Sequence, residues 1–140
     1  MATRLVSNIK TPASISLFHA SSRASEIFEN ANASLFEQRA LNPKGEQASK
    51  ILLVDFYAEW CRPCKLLSPA LKKVASQPDV VGGRQVDLLT LDVDQHNQIA
   101  SQFKVSAMPT VLAMKEGKVI DGFVGMLPEA KLIEFVKNLA

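Results

Sequence analysis

The chain is poor in the residues on which most binding and catalytic chemistries depend. Its 140 residues include two cysteines, two histidines, one tryptophan and one tyrosine. Structural zinc needs four ligands, and Cys61 and Cys64 with the distant His96 do not supply them, so no metal is expected. Two cysteines also cannot build a disulfide scaffold. The longest aliphatic run, Ile51 to Val54, is far below the roughly 20 residues that span a bilayer, so no membrane partner is expected. No phosphate-cradling glycine-rich loop, Ser/His/Asp set or internal repeat is visible. A net charge of +2 is too small to point to nucleic acid.

One absence is local. Residues 1–24 contain Arg4, Lys10 and Arg23 but no acid, so +2 overall less this +3 leaves −1 for residues 25–140. The same stretch is rich in serine and threonine, and Leu5, Val6 and Ile9 gather on one side of a short helical pattern that Pro12 would end. This profile fits a mitochondrial transit peptide better than a secretory signal, which would need an apolar h-region. Phe18 to Ser22 is similar to fungal mitochondrial processing sites. The competing reading is a disordered basic tail on a cytoplasmic protein.

What is present suits one α/β domain over 25–140: hydrophobic residues make up 47% of the chain. A short strand is expected near Glu26–Glu29. A helix over Leu35–Leu41 follows from the capping-box spacing of Ser34 and Glu37. Ile51–Tyr57 reads as a buried strand. A helix from Cys61 to about Gln77 carries Cys64, Leu67, Leu71 and Val74 on one side and Pro69 inside it, and Gly82-Gly83 marks a loop. Val86–Val93 reads as a strand and Gln95–Phe103 as a helix. Thr110–Met114 and Lys118–Val124 form a hairpin about Glu116-Gly117, and a last helix runs from about Pro128 to Leu139. The order β-α-β-α-β-α-β-β-α implies parallel pairing followed by an antiparallel hairpin.

The chemistry is concentrated in Trp60-Cys61-Arg62-Pro63-Cys64, between a buried strand and a helix start. One helical turn brings residues i and i+3 to the same side, so the two sulfurs can form and release a disulfide. A loop this short gains little stability from closure, and the pair reads as reactive. Cys61, at the helix N-terminus, has the stabilised thiolate and is the expected nucleophile. Cys64, one turn in on the apolar side, is expected to be the more buried and to resolve the mixed disulfide. Pro63 limits backbone freedom between them.

The segment Val54-Asp55-Phe56-Tyr57-Ala58-Glu59-Trp60-Cys61-Arg62-Pro63-Cys64-Lys65 resembles the active-site segment of the thioredoxin family. Pro69, Leu91-Asp92-Val93-Asp94, Val105 to Thr110, Lys115 to Lys118 and Val124-Gly125 follow in that family's order, over roughly residues 25–140. The resemblance implies a thioredoxin fold, a central mixed five-stranded sheet with helices on both faces. It implies that Asp55 is buried and exchanges a proton with Cys64. It implies that Pro109 is a cis-proline, that Met108 offers backbone hydrogen bonds to an extended substrate, and that Trp60 and Gly125 complete an apolar docking patch.

Two departures from the family pattern concern tuning. Arg62 replaces a glycine and places a permanent cation beside Cys61, which should lower its pKa and make the couple more oxidising. Thr90 stands where many relatives have a buried lysine near the aspartate, and loss of that cation should raise the pKa of Asp55. Tyr57 replaces a common tryptophan and should matter little. The expected function is protein-disulfide reduction by dithiol exchange, with a redox-active disulfide, no separate cofactor and a monomeric chain. Electrons would come from a NADPH-dependent thioredoxin reductase, in the mitochondrial matrix or, alternatively, the cytoplasm. The alternatives are a dithiol oxidase or isomerase and a non-catalytic binding module of the same fold.

Overall fold

A computed structural model describes residues 24–140; the transit-peptide reading lies outside the described residues. Five strands form one sheet: β1 (Ile27–Phe28), β2 (Ile51–Tyr57), β3 (Val86–Asp92), β4 (Thr110–Lys115) and β5 (Lys118–Val124), in the order β1-β3-β2-β4-β5. β3 pairs in parallel with β1 and β2, and β4 pairs antiparallel with β2 and β5. β3 is buried along its whole length and β2 at every residue but Tyr57, which is why each reads as a near-continuous apolar run.

The pleat sends alternate residues of β2 to opposite faces. Leu52, Val54 and Phe56 pack with Phe36, Ala40, Leu89, Leu91 and Ala100 on one face. Ile51 and Leu53 pack on the other with Leu67, Leu71 and Val74 of a long helix and Leu132 and Val136 of the last one. The helices are α1 (Ala33–Phe36), continued by a π turn at Glu37–Leu41, then α2 (Glu46–Ser49), α3 (Arg62–Ser76), α4 (Asn97–Gln102) and α5 (Glu129–Lys137), with a 3₁₀ turn at Pro78–Val81. The expected architecture is therefore the observed one. Pro69 lies inside α3 without dividing it.

One local expectation is corrected. Ser34 and Glu37 do not cap α1; Asn32 does, its side chain accepting the Leu35 N–H at 2.8 Å. The helix starts one residue before Ser34, and the Ser34 hydroxyl is left to accept from Gln38 Nε2 at 3.3 Å. At the hairpin, Glu116 and Gly117 both have positive φ, 54° and 79°, as a tight I′-like turn requires. A Cβ on Gly117 would lie 2.6 Å from the Leu41 carbonyl oxygen, so the turn needs glycine for space as well as for conformation.

Candidate active site

The chemistry-bearing residues meet at the carboxyl ends of β2 and β3, where the loops of parallel strands open outward. β2 ends at Tyr57, and the Cys61 N–H donates to the Ala58 carbonyl at 3.0 Å, turning the chain into α3. Cys61 is the N-cap of α3, and Arg62 and Pro63 begin it. Proline is tolerated there because its missing N–H would have no intrahelical partner. Cys61 and Cys64 are joined in a disulfide, their Cα atoms 5.4 Å apart. The Cys64 N–H donates to Cys61 Sγ at 3.2 Å, so a backbone donor is aimed at the sulfur that would carry charge after reduction.

The expected difference in burial between the cysteines is not observed: each is 3% exposed. With the disulfide closed, both pack into the same apolar cluster as Ala58 and Phe56. What distinguishes them is position on the helix, Cys61 at its cap and Cys64 within its first turn. Arg62 and Pro63 are exposed.

Asp55 lies in the middle of the sheet's central strand, 2% exposed. Its neighbour across the parallel ladder is Thr90. Asp55 Oδ1 has no hydrogen-bond partner among the described residues. Burial pushes its carboxyl up from 3.8 to about 7, because a low-dielectric surrounding penalises the charged form. Thr90 Oγ1 is engaged elsewhere, accepting the Asn30 N–H at 2.7 Å. A second strand aspartate, which the sequence reading did not single out, has the opposite fate. Asp87 is fully buried, yet it pairs with Arg39 through Oδ2 and with Lys50 through Oδ1 at 3.0 Å, and it accepts the Glu26 N–H at 2.8 Å. The signal was there: Asp87, like Asp55, interrupts an apolar strand.

Trp60 is 68% exposed, and its indole Nε1 donates to Asp94 Oδ2 at 3.0 Å. Asp94 is thereby a positioning group for the ring, a role its place at a strand end did not reveal. Asp92, buried, accepts the Asp94 N–H at 2.9 Å. The Met108–Pro109 peptide is cis, and the Gly125 N–H donates to the Pro109 carbonyl at 2.8 Å, which holds the loop after β5 against the cis turn. Val124 and Met126, flanking Gly125, are exposed. His96 stands at the N-cap of α4, away from the cysteines in sequence and with no capping hydrogen bond from its side chain. Among the described residues no three His, Cys, Asp or Glu side chains converge as a metal set, and no helix is long and apolar enough to cross a membrane.

The thioredoxin family model matches residues 28–138. The chain belongs to the thioredoxin family. The mitochondrial thioredoxin of Rattus norvegicus is 36% identical over 129 residues, covering 92% of this chain and 72% of that protein. A thioredoxin of Staphylococcus haemolyticus is 40% identical over 86 residues, covering 61% of this chain and 79% of its own. Among solved structures, Malassezia sympodialis thioredoxin superposes with a TM-score of 0.65 at 32% identity, covering 81% of this chain and 90% of that one. A Halobacterium salinarum thioredoxin variant at 24% identity and TM-score 0.67, over 84% of this chain and 93% of its own, shows the shared fold. Membership together with the Cys61–Cys64 disulfide makes this thioredoxin-family chain a thiol-disulfide oxidoreductase. Such a protein carries its redox group in its own side chains and needs no separate cofactor.

Proposed function

We propose that this protein reduces disulfides in target proteins by dithiol exchange. The observation that carries the reading is a disulfide capping a helix, with an uncompensated buried carboxylate in the strand beneath it. In the reduced protein the Cys61 thiolate attacks one sulfur of a target disulfide. That S–S bond breaks, a Cys61–target mixed disulfide forms, and the first target sulfur leaves as a thiolate that takes a proton from solvent. Cys64 then gives its proton to the Asp55 carboxylate, by way of water, and attacks Cys61 Sγ. The Cys61–Cys64 bond closes, the second target sulfur leaves and is protonated, and two electrons have passed to the target. A carboxyl with a pKa of about 7 can hold or release that proton near neutrality.

Trp60, Met108, Pro109 and Gly125 are proposed as the docking surface. Met108 precedes the cis bond, and its backbone groups suit an extended segment laid beside the disulfide. Arg62 and Pro63, with Thr90 below, are proposed to tune the couple. A NADPH-dependent thioredoxin reductase would return the electrons. Mitochondrial relatives such as the rat protein, together with the acid-poor residues 1–24, support action in the mitochondrial matrix.

Insulin reduction coupled to NADPH and a thioredoxin reductase tests the reading. The wild type should turn over, Cys61→Ser should be inactive, and Cys64→Ser should accumulate a mixed disulfide through Cys61. Absence of turnover in the wild type would favour a binding module. Efficient oxidation of dithiol substrates with poor reduction of insulin would favour an oxidase, the direction in which the Arg62 cation leans.

A further inference from the structure

A cavity of about 190 Å³ opens beside the disulfide and reaches the buried carboxylate. Asp55 and Thr90 line it from adjacent strands, Cys64 and Ser68 from α3, and Tyr57 and Ala58 from the end of β2. Glu29, Glu59 and Lys65 also line it. Its electrostatic character is legible at Tyr57. Burial first, and then the charges of Asp92, Glu59, Asp55 and Glu29, push that phenol above its usual range. Glu29 pairs with Lys72 at 2.9 Å, both side chains well exposed, a solvent-screened contact of small worth. Lys65 is exposed.

A half-open cavity lined by three carboxyl groups and one lysine, with an unpartnered buried acceptor in its wall, matches one class of ligand. We propose that this cavity is a binding site for a small primary ammonium ion, whose N–H donors satisfy Asp55 Oδ1 and whose short carbon stem lies against Tyr57, Ala58 and Cys64. A multidentate metal site is disfavoured, because the carboxylates do not converge. An ammonium group instead needs one strong acceptor, which Asp55 provides, and neutral oxygens, of which the Ser68 hydroxyl lines the same cavity. Thr90, short and uncharged, lines the cavity beside Asp55. The site exists whether or not Asp55 moves a proton in turnover, and its test needs no turnover.

The ion binds ionised Asp55 and is excluded by the protonated form, so the two equilibria are linked. The charged and titratable groups that line the cavity with Asp55 are Glu29, Glu59, Lys65 and Tyr57, and they are the same with and without the ion in each variant compared. The experiment follows the Asp55 carboxyl by ¹³C NMR from about pH 4 to pH 10 in the full, oxidised chain, with ethylammonium chloride as the probe. The Asp55 pKa should fall by about one unit when the ion is at ten times its Kd, and by about one further unit for each further tenfold rise in concentration. Sodium and tetramethylammonium chlorides at equal ionic strength should not reproduce the shift. Thr90→Lys, which brings its own ammonium, and Thr90→Met, which fills the space without charge, should each abolish the response. No shift, an equal shift with tetramethylammonium, or a response confined to Lys65→Met would overturn the proposal. The last result would mean that the protein's own lysine already fills the site.

Discussion

Replacing Asp55 by asparagine isolates the cost of keeping a carboxylate in the centre of the sheet. The side chain is 2% exposed and Oδ1 is unpartnered; burial moves its pKa from 3.8 to about 7. About three units at 1.36 kcal/mol each come to about 4 kcal/mol. The sign follows from proton counting. Below pH 3.8 the carboxyl is protonated in both folded and unfolded chains and costs nothing. As pH rises from there to about 7, the unfolded chain has released the proton while the folded chain retains it, so stability falls. Above about 7 the loss levels off. A full 4 kcal/mol is large against the roughly 5–15 kcal/mol that stabilises a typical domain.

The assay is urea unfolding of the oxidised wild type and Asp55→Asn at several pH values from about 4 to 9. Asparagine can differ from a protonated carboxyl by a constant, set by whether its amide finds partners. Only the change with pH reports Asp55. The stability gap in favour of Asp55→Asn should widen by about 4 kcal/mol across this range, most steeply between about pH 4 and 7. A gap independent of pH would refute the reasoning, because it would mean that the carboxylate is solvated or paired in the folded protein.

Three further outcomes are expected. Asp87→Asn should cost about 3 kcal/mol or more in the same unfolding assay near neutral pH, because it leaves Arg39, 5% exposed, without its counter-charge; a loss under 1 kcal/mol would show that the Arg39–Asp87–Lys50 cluster is neutral in sum. Gly117→Ala should cost about 2 kcal/mol or more, since φ is +79° and the new Cβ would meet the Leu41 carbonyl oxygen at 2.6 Å; an unchanged urea midpoint would mean that the hairpin and the π turn separate freely. Arg62→Gly should make the reduction potential slightly more negative, because it removes a cation that favours the Cys61 thiolate, the effect being small where the guanidinium is exposed; equal potentials in glutathione equilibration would show that Arg62 does not tune the couple.

Much of the architecture is legible locally because it rests on short-range rules. The apolar run from Ile51, the strand after Lys118 and the Glu-Gly turn each announce themselves within a few residues, and the boundaries of β2 and β5 are the expected ones. The four-residue elements at Glu46–Ser49 and Pro78–Val81 are too short to show a period. The cap of α1 was placed on Ser34 because Glu37 follows at capping-box spacing, but Asn32 precedes it and its side-chain oxygen reaches Leu35 N. The site divides in the same way. The cysteine pair is a local pattern, whereas the Trp60–Asp94 bond and the cavity between Glu29, Asp55 and Lys65 join segments that only the sheet brings together.

The sequence by itself determined that two cysteines one turn apart begin a helix after a buried strand, because helix period, strand period and proline geometry act between near neighbours. It also determined that aspartates at 55 and 87 interrupt apolar strands. Only the tertiary structure decided which of these charges is compensated. Asp87 meets Arg39, 48 positions earlier, and Lys50, while Asp55 faces Thr90 and a cavity, its Oδ1 unpartnered among the described residues. Coulomb energy and desolvation depend on distance through space and on burial, and a residue's position along the chain sets neither.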